Sequence, residues 1–230
     1  MRRRAVLVSA AAVALAVTFA SLAFATAQPT SPAAGATTSS HPTFTWVLPA
    51  NEEADWIAVS SRPETTPTGE FFTENVVDFD LLDAGEQTRW APSKALFAGT
   101  HWWNVRTHDR NTFQSMFSPP SPFTVGAQTR IVGLRIRRNS YTFIPDDLTV
   151  DVTWATNVRA VVVDVVVMRG RRRVGRLRRA EETFSPLTSD SAFLTWRRPR
   201  SVRTGSRLTV IVSVRGGGRV ASARRVVRAP

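Results

Sequence analysis

The chain has 230 residues, 43% of them hydrophobic and 21% charged, a balance that suits a globular protein and is too apolar for a disordered one. It contains no cysteine, which excludes disulfide staples, thiolate metal sites and a cysteine nucleophile together. Its three histidines, His41, His101 and His108, leave acid–base and metal chemistry short of their usual side chain, and the formal charge of +12 rests on 29 arginines and one lysine, Lys94.

Arg2, Arg3 and Arg4 precede a 20-residue apolar run over 5–24, and Ala25-Thr26-Ala27 then places small residues two apart, as a signal peptidase requires. Cleavage after Ala27 is expected, with the product secreted or held at the cell surface. Left uncut, a run of this length would instead span a bilayer as an anchor, the one route to the membrane that the sequence offers. Removal of 27 residues leaves 203, enough for two modest domains. Residues 28–40, rich in Pro, Ser, Thr, Gly and Ala, read as a linker that ends in an edge strand.

No later stretch sustains a 3.6-residue apolar period with caps. Short alternating segments broken by Pro, Gly, Asn and Asp recur instead, which is an all-β pattern. In 41–126 the expected strands are 43–47, 55–60, 71–77, 88–90, 100–107 and 122–125. The polar run Gly126-Ala127-Gln128-Thr129 separates this part from 127–230. There, Leu148, Val150, Val152 and Trp154 fall on one face of a strand, and Leu208, Val210, Val212 and Val214 repeat the alternation. The valine-rich run 158–168, interrupted by Asp164, suits a central strand, turning at Arg169-Gly170-Arg171 into 172–179. A second hairpin turns at Arg215-Gly216-Gly217-Gly218 into 219–227. The expected fold is all-β: two tandem β-sandwiches.

Several segments of the first part carry a resemblance. They are Pro42-Thr43-Phe44-Thr45-Trp46, Ala54-Asp55-Trp56-Ile57-Ala58-Val59, Leu96-Phe97-Ala98-Gly99-Thr100-His101-Trp102-Trp103-Asn104-Val105-Arg106 and Ser121-Pro122-Phe123-Thr124-Val125. On them this part resembles the fibronectin type III and related Ig-like modules of bacterial exported proteins. His101 stands where such modules often carry a tyrosine; if Trp103 and Val105 point inward, His101 does too, and a neutral imidazole could then take over the corner hydrogen bond. The second part is similar to small Ig-like sandwiches of actinobacterial surface and secreted proteins, through 160–167, Val174-Gly175-Arg176-Leu177, Leu194-Thr195-Trp196 and 204–210.

Charge divides the molecule. Residues 28–126 hold 5 basic and 11 acidic side chains, a net of −6, whereas 127–230 hold 22 and 7, a net of +15. Seven arginines crowd one hairpin: Arg169, Arg171, Arg172, Arg173, Arg176, Arg178 and Arg179. Guanidinium groups bind phosphate and carboxylate bidentately, so this run is the candidate contact for an anionic partner. With Val174 inward, Arg172 and Arg176 share its face and Arg171, Arg173 and Arg179 take the other, unless a bulge near Gly175 resets the phase. The competing role is a charged edge that blocks sheet-to-sheet aggregation. Neither a groove-reading helix nor an aromatic–basic motif accompanies the arginines, which argues against a nucleic-acid partner.

Of seven tryptophans, Trp46, Trp103 and Trp154 stand in core phase, Trp56 and Trp90 are ambiguous, and Trp102 is the candidate exposed aromatic contact. His101 and His108 lie about 23 Å apart along one strand and on opposite faces, too far for a shared metal. Asp146, Asp147 and Asp151 lack the oxygen spacing and glycine of a calcium loop. Glu52, Glu53 and Asp55 offer adjacent carboxylates, but no nucleophile motif supports catalysis. No enzyme activity, cofactor or metal is expected. The expected function is a non-catalytic binding or scaffold protein whose basic part contacts an anionic envelope polymer or another protein. Self-association of the acidic part with the basic part, giving a homo-oligomer, is one alternative; an accessory carbohydrate-binding module is another.

Overall fold

A strand that alternates apolar and polar residues can bury only one face, and two sheets of such strands bury each other. The chain does this twice. The computed structural model describes residues 26–85, 87–138 and 147–230. Residues 1–25 of the expected export segment lie outside them, as does Asp146; Thr26 and the buried Ala27 lie within. Among the described residues there is no α-helix, and hence none long and apolar enough to cross a membrane.

The first sandwich runs through β1 (Gln28–Ser31), β2 (Thr37–Thr38), β3 (Phe44–Val47), β4 (Glu52–Ser60), β5 (Val76–Gly85), β6 (Arg89–Trp90), β7 (Gly99–Asp109), β8 (Ser115–Phe117) and β9 (Ser121–Val125). One sheet has the order β1-β3-β6; the other has the order β2-β9-β7-β4-β5, with β8 paired to β7. Between them Phe44 meets Trp103 edge-on at 5.0 Å and Phe123 at 5.3 Å, and Ile57, Val59 and Val105 complete a buried core. The second sandwich runs through β10 (Thr129–Arg138), β11 (Asp147–Thr156), β12 (Ala160–Arg169), β13 (Arg172–Glu182), β14 (Ser189–Arg197), β15 (Arg207–Gly216) and β16 (Arg219–Arg228). Its sheets have the orders β10-β11-β14 and β13-β12-β15-β16. Leu148, Val150, Val152 and Trp154 face Val163, Val165, Val167, Val210 and Val212 across its core. Both sandwiches set a three-stranded sheet against a larger one in the strand arrangement of the fibronectin type III fold.

Two segments depart from expectation. The 28–40 segment already starts as a strand, because β1 pairs with β3 with Gln28 opposite Val47; β2, paired in parallel with β9, supplies the expected edge strand at its end. The strand expected over 71–77 begins only at Val76. Thr66 N–H reaches the Glu70 carbonyl and Gly69 N–H the Thr66 carbonyl, and Gly69 at φ 92° lets the chain double back. Phe71 is thereby buried within a loop and a 3-10 turn, Thr73–Asn75, precedes β5.

The sandwiches meet at Asn157, which is wholly buried. Its side-chain amide donates to the Gly126 carbonyl at 2.9 Å and accepts from Gln128 N–H at 2.7 Å. Its backbone carbonyl accepts from Ala98 N–H at 2.7 Å. The Arg159 guanidinium lies 4.4 Å from the centre of the Phe97 ring across the same seam.

Candidate anion-binding face

β12 supplies the axis of the face. Its inward side is Val161, Val163, Val165 and Val167, all buried. Its outward side is Val162, Asp164, Val166 and Met168, and the register of the neighbouring strands says what stands beside each. From β13, Arg178 is opposite Asp164, Arg176 opposite Val166 and Arg173 opposite Met168. From β15, Arg215 is opposite Val162 and Ser213 opposite Asp164. β16 adds Arg224 opposite Ile211 and Arg228 opposite Arg207. Seven exposed arginines, Arg173, Arg176, Arg178, Arg207, Arg215, Arg224 and Arg228, therefore share one sheet face drawn from three strands.

One carboxylate stands among them. The Asp164 side chain is 4% exposed although it points away from the core. Arg176 grips it with both ends of the guanidinium, Nε–H to Oδ1 at 3.0 Å and Nη2–H to Oδ2 at 2.6 Å. These hydrogen bonds, then the charges of Arg176, Arg215 and Arg178, hold the Asp164 carboxyl below its ordinary 3.8 against the opposing effect of burial. The same contact raises the Arg176 guanidinium above its ordinary value. One cation is thus held in place from within, and its neighbours point outward.

The hairpin arginines divide differently from a strict two-residue alternation. Val167 pairs with Gly175 and Met168 with Arg173, so Val174 is an extra residue and the phase is reset there. Arg173, Arg176 and Arg178 consequently share the outward side. Arg171 lies in the turn, Arg172 is opposite Arg169, and Arg179 stands opposite Val163 on the other parity, paired with Glu181. Arg169 donates to the Ser201 carbonyl at 3.2 Å. Arg207, Arg215, Arg224 and Arg228 were beyond sequence reasoning, since only cross-strand register brings them beside the hairpin.

The first sandwich offers other chemistry. His108 and His101 face opposite sides. His101 is buried, donates from Nε2 to the Phe97 carbonyl at 2.8 Å and stacks on Phe123, so imidazole makes the corner hydrogen bond. Burial holds its pKa below the ordinary 6.5, which keeps it neutral. On the outer face His108 lies 3.3 Å from Glu53 and 3.7 Å from Asp55, while Arg106 reaches Asp55 at 2.9 Å and Arg110 reaches Glu53 at 2.7 Å. Glu53 and Asp55 are therefore neutralised by Arg110 and Arg106. Among the described residues no group of three or more His, Cys, Asp or Glu is arranged to hold a metal. Trp102 is half-buried on that outer face; Trp46, Trp90, Trp103, Trp154 and Trp196 are buried. Trp56 lines a pocket of about 380 Å³ with Phe71, Asp78, Phe79 and Lys94. Its ring is already covered, by Phe79 stacked at 5.0 Å and by Arg106 at 5.8 Å.

No protein-family model matches the chain, and no curated protein sequence does. Among solved structures it is similar to the chicken interferon gamma receptor alpha chain, at 12% identity over 90% of this chain and 100% of that one, with a TM-score of 0.37. It is similar to the FN1–FN3 domains of chicken CNTN1, at 12% identity over 87% of this chain and 64% of that one, with a TM-score of 0.28. It is also similar to dimeric latent PorU from Porphyromonas gingivalis, at 11% identity over 89% of this chain and 20% of that one, with a TM-score of 0.32. The chain thus spans less than two thirds of the latter two. Identities and TM-scores this low leave the fold to rest on the strand order itself.

Proposed function

We propose that the protein is an exported, non-catalytic binding module that attaches to an anionic envelope polymer through the outer face of the sheet β13-β12-β15-β16. The supporting observation is the gathering of seven arginines onto that face around a single buried carboxylate. Neighbouring strands lie about 4.8 Å apart and like-facing residues about 7 Å apart along a strand, so the cations form a grid rather than a pocket. A grid suits a chain of repeating phosphates or carboxylates, each engaged by a separate guanidinium. Export follows from the charged start, apolar run and A-x-A site of the first 27 residues.

The test is retention on immobilised poly(glycerol phosphate) as salt is raised. Four ion contacts would lower affinity on the order of 50-fold between about 50 and 200 mM salt. Replacing Arg178, Arg215 and Arg224 by serine should flatten the log–log salt slope by about 2 while circular dichroism stays unchanged. Retention that ignores salt, or survives the triple substitution, overturns the proposal.

A further inference from the structure

We propose that the free edge of β5 in one molecule pairs antiparallel with the free edge of β13 in a second copy, linking molecules head to tail. Each strand ends its sheet, and each has one hydrogen-bonded neighbour strand, β4 for β5 and β12 for β13. The two are matched in length, at 10 and 11 residues. A long edge with exposed apolar side chains is a template for another strand. β5 is such an edge: Val77, Phe79 and Leu81 are 40%, 53% and 66% exposed.

Charge decides which strand fits. β5 carries Asp78, Asp80 and Asp83 with no cation, and the first eight residues of β13 carry Arg172, Arg173, Arg176, Arg178 and Arg179 with no acid. Pairing β5 with another β5 sets aspartates beside aspartates; pairing β13 with itself along its full length sets Arg176 beside Arg178 in both halves, although Arg172 and Arg173 then meet Glu182 and Glu181. Like charges across strands are destabilising. The mixed pair brings opposite signs together with no like pair directly opposite. An antiparallel register with Asp80 opposite Arg178 also sets Leu81 opposite Leu177 and Phe79 opposite Arg179. In that register Glu181 and Glu182 fall beside the uncharged Val77 and Val76. The two apolar side chains meet, and a guanidinium comes within reach of an aromatic face. Because each copy offers one edge of each kind, the contact is heterologous and propagates into open chains unless its rotation closes a ring. The main-chain edge of β13 is used here; of the outward arginines Arg178 is engaged, by Asp80, and those of β15 and β16 stay open to solvent.

The absence of cysteine allows a direct test with full-length chains. Chains with Phe79→Cys and chains with Arg179→Cys are mixed at low salt with glutathione disulfide. The disulfide joining the two different chains should outnumber both same-chain products by about tenfold or more and fall away at about 0.5 M salt, where exposed charges are screened. Val77→Cys with Glu181→Cys is the second pair should either chain fail to fold. Sedimentation of the wild type should show association at low salt that Leu81→Arg abolishes. Dominance of the Phe79→Cys homodimer, a statistical mixture, or a wild type that is monomeric at low salt would each overturn the proposal. No polymer is present, so the outcome is independent of polymer attachment.

Discussion

A carboxylate on the outward side of a strand normally keeps its water, and Asp164 has lost nearly all of it. Arg176 replaces that hydration with two charge-assisted hydrogen bonds, which explains why the carboxyl lies below its ordinary 3.8. A depressed carboxyl stabilises the fold fully above the unfolded value of 3.8, and that contribution disappears as pH falls through the folded value. The melting temperature of the wild type should therefore fall on acidification from about pH 5 to 3. Asp164→Asn should melt lower than wild type at pH 7 and show a shallower fall, read by calorimetry across that range. An unchanged acid slope in the variant would mean that other carboxylates carry the effect. His101 works in the opposite sense of charge: it contributes as a neutral ring, buried against Phe123 with its Nε2–H satisfied.

At the scale of the strand, β13 is shaped by a glycine. A Cβ on Gly175 would lie 2.0 Å from Nε1 of Trp196 and 2.5 Å from its Cδ1, so the indole of β14 occupies the space where a side chain would be. Gly175→Ala must displace Trp196 from the core and should cost about 1–3 kcal/mol, read as a lower denaturant midpoint at unchanged m-value. The strands that were legible in the sequence are β11 and β15, whose own residues alternate apolar and polar, and β12, whose run of valines marks a central strand. β1 was not, because Gln28-Pro29-Thr30-Ser31 owes its conformation to pairing with β3. Phe71 looked like a strand residue because burial is burial to a hydrophobic pattern, and only the turn at Gly69 shows that a loop buries it. The arginine run was visible as composition. Its arrangement was not, since Val174 shifts the phase by one residue and four more arginines arrive from β15 and β16.

For the molecule as a whole, a net of −6 over 28–126 and +15 over 127–230 sets a strong dipole across two bodies held at one seam. Asn157 anchors that seam with hydrogen bonds to Gly126, Gln128 and Ala98. Asn157→Ala removes the hydrogen-bond partner of the Gly126 carbonyl and of the Gln128 N–H, at about 1 kcal/mol for each bond lost. The expected result is faster proteolytic cleavage within 125–129 and a broader small-angle scattering distance distribution, with each sandwich still melting cooperatively. Cleavage at the wild-type rate would show that the seam holds by other contacts.

The placement of Asn157 also governs how the molecule can be dissected. This asparagine belongs to the β11–β12 loop of the second sandwich, yet both partners of its amide side chain precede β10. A fragment trimmed to begin at Thr129 would discard them, whereas one beginning at Gly126 would carry its own satisfied loop. The short tail ahead of the first strand is thus a structural part of the body it introduces, and a useful recombinant half must include it.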